Sequence, residues 1–228
     1  MLLYPMHKYE KTINIMFLVM AIITIGFGVY AAFAVPGFVK DCIGGLVIIV
    51  AFYFLQRKYY VPPVAVALGF VPILFHLMGV VFGFFEYLIF GIGYDKYIHF
   101  LNCLSITIIV FYLLIAHAKK FPVKKAMAAF LIVLGIGAVA KNLEFVGSQY
   151  MKFTGATMLS EGDYAADIGT VLQRIEVPTQ LQTDMLVYDY QWDMLANTLG
   201  ALLALGIIAI LWRVDKEYLK ERTIVHEG

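Results

Sequence analysis

The sequence predicts an all-α protein, a polytopic transmembrane helical bundle of about six spans with both termini on the inner side. Three observations carry this. Apolar residues make up 62% of the 228 positions and charged residues only 14%, with a mean hydropathy of +0.83. A soluble domain is about half apolar and about a quarter charged, so the surplus here must be covered by lipid. The apolar residues are also gathered into runs long enough for a hydrocarbon core about 30 Å thick. Finally, Lys and Arg fall in alternately rich and poor loops, as the positive-inside rule requires.

The first expected span is 13–35, preceded by Lys8 and Lys11. Ala32-Phe33-Ala34 resembles a signal-peptidase site, but the apolar run exceeds a signal h-region of about 7–15 residues, so a retained helix is expected. Pro36-Gly37 makes a tight exit. The second span, 38–55, is short and ends at Gln56-Arg57-Lys58. The third, 64–84, opens after Pro62-Pro63 and contains Pro72, which frees a backbone carbonyl and is expected to kink the helix. The fourth is 96–116, the fifth 126–150 and the sixth 192–212, after which a charged tail closes the chain. No soluble domain and no internal repeat is seen, so the whole chain reads as one membrane domain.

Twelve Lys and Arg fall on one side of this arrangement, from Lys8 to Arg222, and four on the other: Lys40, Lys96, Lys152 and Arg174. Both termini are therefore expected in the cytoplasm and the protein in the plasma (inner) membrane. The stretch 151–187 then faces outward. It is acidic, with Glu161, Asp163, Asp167, Glu176 and Asp184. Ile168, Val171, Leu172 and Ile175 recur at helical spacing, so a short amphipathic helix capped by Asp163 is expected on the outer surface. The balanced charge, a net +1, and the absence of a basic patch with interleaved aromatics give no support to a nucleic-acid partner. Cys42 and Cys103 lie in apolar runs and read as buried small hydrophobes rather than a disulfide.

Three stretches break the apolar pattern. Asp95 and His99 are spaced i,i+4 and share a helix face about 6 Å apart along the axis, with Asn102 continuing that face. Lys141, Glu144 and Ser148 share a face of the fifth span, where Lys141 is placed to neutralise Glu144 at i,i+3. Asp189, Asp193 and Asn197 open the sixth. Asp193, Ala196, Asn197, Gly200 and Ala204 lie on one face, and the Ala-xxx-Gly-xxx-Ala stripe suits close helix packing. All three stretches fall near the outer ends of their helices. Ionisable groups at such depths face the bundle interior and pair. Asp95, His99, Glu144 and Asp193 are therefore the candidate catalytic or polar site, and the candidate ligands of a divalent metal. Asn102, Lys141, Asp189 and Asn197 support them. His76, in the middle of the third span, reads either as a hydrogen-bonded core residue or as part of a proton relay. Glu86 reads as solvated at the outer surface.

Asp95-Lys96-Tyr97-Ile98-His99-Phe100 resembles the D-K-x-x-H-F opening of the VanZ-like membrane proteins. Asp193-Met194-Leu195-Ala196-Asn197-Thr198-Leu199-Gly200 resembles their D-x-x-x-N-x-x-G motif. Glu144 and Gln149 stand, with looser spacing, for that family's Glu and Gln. His76-Leu77-Met78-Gly79 and Tyr190-Gln191-Trp192-Asp193-Met194 are similar to the related YjdF-type inner-membrane proteins. The resemblance spans roughly 76–205. It implies a cell-envelope role, VanZ-like proteins being associated with tolerance to teicoplanin-type antibiotics, although the long acidic outer stretch departs from that pattern.

Three functions compete on this evidence. An enzyme would act on a lipid or lipid-linked envelope molecule, with His99 as general base or with a shared metal. A binder or proton-coupled transporter would use the same pocket. A structural protein would use it to clamp helices. No zincin helix, Ser/His/Asp order or phosphatase-like signature favours the first, so enzymatic activity stays open. Oligomeric state is not legible.

Overall fold

The structure, a computed structural model, describes residues 7–59, 61–115, 123–150 and 179–214. Six α-helices make up almost all of it: α1 His7–Ala34, α2 Val39–Tyr59, α3 Pro63–Phe82, α4 Tyr94–Ile115, α5 Val123–Tyr150 and α6 Thr179–Val214. Each contains a stretch long and apolar enough to cross a membrane. The amphipathic stripe expected at Ile168–Ile175 lies outside the described residues.

Local chemistry explains the boundaries. α3 starts at Pro63, where a missing N–H costs nothing, and stops at Gly83, whose φ of 72° is the left-handed C-terminal cap. It runs as one helix through the buried Pro72. Proline removes the N–H that would serve the carbonyl of Leu68, and the hydroxyl of Ser105 on α4 donates to that carbonyl instead, at 2.8 Å. α2 continues past the expected end at 55 to Tyr59. Its last turn is tied to α1 by Arg57, which reaches Glu10 at 2.6 Å and the Tyr53 hydroxyl.

Two elements differ from expectation. A small antiparallel hairpin, β1 Leu88–Ile89 and β2 Ile92–Gly93, joins α3 to α4. Its two-residue turn is Phe90-Gly91, with φ of 52° and 77°. Such turns need positive φ at both positions and favour Asn-Gly or Asp-Gly, so the sequence carries no hairpin signal here. Tyr87, Leu88 and Phe90 are exposed, and Phe90 stands 97% free of protein. Secondly, α6 begins at Thr179 rather than near Trp192, so the end of the acidic stretch is helical.

The helices pack in two groups, α1–α2–α3 and α4–α5–α6, joined along α3 and α4. The shared core includes Ile13 and Phe17 of α1, Phe52 of α2, Phe70 of α3, Ile108 and Phe111 of α4, and Ile208 of α6. Phe17 meets Phe52 and Phe70 edge-to-face, with centroids 5.5 and 5.0 Å apart. The apolar residues left outside, such as Leu18, Ile22, Val47, Leu131 and Ile210, cover the faces offered to lipid. Cys42 and Cys103 are free thiols, both buried.

A buried carboxylate bridged by two lysines

The broadest helix interface is that of α4 with α6, and small residues make it close. Gly200, Ala201 and Ala204 of α6 are buried against α4. At Gly200 the two backbones approach so closely that any Cβ would overlap the carbonyl of Phe100. Contacts advance together along the two chains, Lys96 with Asp193 and Cys103 with Asn197, so these helices run parallel. Both bring their N-terminal ends, and the polar residues those ends carry, to the same end of the bundle.

Asp193 is the centre of that end. Its side chain is 1% exposed. Lys141 of α5 reaches its Oδ2 at 2.8 Å and Lys96 of α4 lies 2.7 Å from its Oδ1. The Lys96 approach is a charge contact rather than an aligned hydrogen bond, because Oδ1 has no hydrogen-bond donor among the described residues. Lys96 donates instead to Asp95, at 2.6 Å, and to Asp189. A lone carboxylate at this depth would cost several kcal/mol. Cations drawn from two neighbouring helices offset that cost and hold α4, α5 and α6 together.

The rim is more open than the centre. The side chains of Asp95 and Asp189 are each 33% exposed and that of His99 25%. Gly93 makes room for Asp95, since a Cβ there would meet Asp95 Oδ1 at 2.5 Å. His99 Nε2 stands 3.6 Å from Asp193 Oδ1, beyond hydrogen-bond length, so this carboxylate neighbours the imidazole without fixing its tautomer. One turn further along, Cys103 donates to the buried Asn197 at 3.3 Å. Cys103 is buried there, and Asn102 beside it is half-buried. Tyr190 donates to Asn142 at 3.2 Å, a further tie between α5 and α6.

Of the residues proposed from sequence, Asp95, His99, Lys141, Asp189 and Asp193 thus come together, and Asn197 lies just below them. Lys141 was expected to pair with Glu144 on its own helix. It reaches across to Asp193, because the rotation of α5 turns it into the α6 interface. Glu144 lies on α5, and its side chain is outside those described. His76 is elsewhere, on α3 beside Asp41 of α2. The residue that sequence reasoning left out is Lys96. A lysine at the start of a span reads as one that reaches out to water. The signal that identifies it is charge balance, since three aspartates at one depth need more than one ammonium.

Asp95, Asp189 and Asp193 bring carboxylate oxygens within 4.8 Å of one another, a spacing that suits a metal ion. The Lys96 ammonium contacts all three, so the cation this donor set holds is the protein's own. Of the expected ligand set, Asp95, His99 and Asp193 lie together at this end, and the side chain of Glu144 is outside those described.

A family model described as "Predicted membrane protein (DUF2238)" matches residues 12–214, which takes in α2 to α6 whole and all of α1 but its first turn. No curated protein and no solved structure matches the chain.

Proposed function

The chain belongs to the DUF2238 family of predicted membrane proteins, and on that premise we propose that it holds a lipid or lipid-linked molecule of the cell envelope at the polar end of α4, α5 and α6. One observation carries this reading. Asp193 is sealed and bridged by two lysines, while Asp95, Asp189 and His99 around it stay a quarter to a third exposed. A cluster serving only to join helices gains nothing from an open rim. The three carboxylates and two ammonium groups leave one negative charge in excess, so the rim suits a headgroup rich in hydroxyl or amine donors. The uncharged hairpin 87–93 flanks the site, with Tyr97 of α4 donating to its Ile89 carbonyl at 2.9 Å. It offers an apolar wall beside a polar seat, as a lipid-linked ligand requires.

The resemblance to VanZ-like proteins supports an envelope ligand. The two segments that carry it meet face to face, Lys96 and His99 against Asp193, and Phe100 against Gly200. We place the protein in the plasma membrane, with both termini in the cytoplasm and this site outward, on the asymmetry of Lys and Arg. The lysine pair on Asp193 favours a second reading, a charge clamp with no ligand. Native mass spectrometry separates the two. The wild type is expected to retain a lipid through detergent exchange, and His99→Gln and Asp189→Asn to lose it while keeping the wild-type melting temperature. Equal retention by all three proteins would leave the clamp alone.

A further inference from the structure

A second polar group lies in the other half of the bundle and shares no residue with the first. Asp41, in the first turn of α2, has a side chain only 3% exposed. Its Oδ2 has no hydrogen-bond partner among the described residues. Its Oδ1 faces His76 Nε2 of α3 at 3.7 Å, too far for a hydrogen bond. Thr24 of α1 is 1% exposed, and its hydroxyl is likewise without a partner among the described residues. A threonine within a helix ordinarily bonds a carbonyl one turn back, as Thr107 and Thr198 do here. The levels are fixed by packing. A Cβ at Gly28 would touch Cys42, and one at Gly45 would touch Thr24, Ile73 and Leu77. Asp41 and Thr24 are thus stacked about one turn apart along the seam of α1, α2 and α3.

We propose that Asp41, His76 and Thr24 form a second site that binds one monovalent metal cation. A buried carboxylate in an apolar bundle needs a positive charge near it, and among the described residues no lysine or arginine lies in ion-pair reach of this one. Around it, α1 offers Thr24, Phe27 and Ala31, and α3 offers Ile73, His76 and Leu77. On α2 itself, Lys40 is exposed and Cys42 is a buried thiol. Tyr30 of α1 is exposed against Phe82, and Tyr94 of α4 gives its hydroxyl to the Phe75 carbonyl beside His76. Glu86 follows α3, with its side chain outside those described. His76 keeps 37% of its side chain exposed and so opens the seam to the surface.

The test is thermal melting of the full chain in detergent, in sodium, potassium or choline chloride at one pH. A melting temperature that rises with sodium or potassium over choline in the wild type, and not in Asp41→Asn, assigns a metal ion. His76→Gln and Thr24→Val should weaken the same dependence, and they carry the test if Asp41→Asn does not fold. A dependence equal in the wild type and the variants, or absent from the wild type, overturns the proposal.

Discussion

Lys141 and Asp193, on adjacent helices, meet at 2.8 Å with both side chains under 10% exposed. Removing one member of a buried pair costs as much as about 3–5 kcal/mol where nothing else neutralises the charge left behind, and Lys96 tempers that loss on the Asp193 side. Lys141→Met should therefore destabilise strongly, and Asp193→Leu likewise. The double variant should cost less than the sum, since Lys96 keeps Asp95 and Asp189 as partners. Melting temperatures of the four proteins close this cycle, and strict additivity would mean that the pair is not coupled.

Lys96 holds together three carboxylates that would otherwise repel. Lys96→Met should leave Asp95, Asp189 and Asp193 with oxygens inside 4.8 Å and no cation between them. Hard divalent ions favour such oxygen sets. Calcium or manganese should then raise the melting temperature of the variant, reversibly by chelator, and leave the wild type unchanged. Stabilisation of the wild type by the same ions would show that the ammonium does not fill the site.

How much of this was legible in the sequence follows from which forces are local. The six spans were readable because apolar runs and the Lys/Arg alternation are properties of composition along the chain. The closeness of His99 and Asp193 followed from depth alone, since both open their helices at one end. What depended on helix rotation was lost. That Lys141 reaches Asp193 depends on how α5 docks on α6, which no pattern within one helix encodes. Lys96 was counted as a loop charge because a long side chain at a span end ordinarily reaches water. The hairpin escaped because Phe90-Gly91 lacks the usual turn residues. The early start of α6 escaped because Gln180, Gln182 and Asp184 read as loop, although a polar helix outside the hydrocarbon layer meets no penalty.

Gly200 and Gly206 lie on the same helix in opposite surroundings. A Cβ at Gly200 would overlap the backbone carbonyl of Phe100, whereas at Gly206 it would meet nothing within 4 Å. Gly200→Ala must therefore push α4 and α6 apart, at a cost of about 1–3 kcal/mol. Gly206→Ala should gain about 0.5–1 kcal/mol from helix propensity. Opposite shifts in melting temperature are the expected outcome, and shifts of the same sign would contradict the close approach of α4 and α6 at Gly200.

Pro72 and Ser105 act as one unit although they sit on different helices. Proline leaves the Leu68 carbonyl without its helical donor, and the Ser105 hydroxyl supplies one from α4. Hydrogen bonds within membrane bundles are individually modest, and an orphaned buried carbonyl costs more than the bond is worth. Ser105→Ala should therefore destabilise by about 1 kcal/mol. In a Pro72→Ala background the new N–H at position 72 can serve Leu68 along the helix. The same Ser105→Ala change should then cost almost nothing. If it costs as much in both backgrounds, the hydroxyl matters for packing and not for the carbonyl that the proline exposes. If instead the cost vanishes with the proline, the junction of α3 and α4, and with it the union of the two halves of the bundle, rests partly on a hydrogen bond that the proline itself makes necessary.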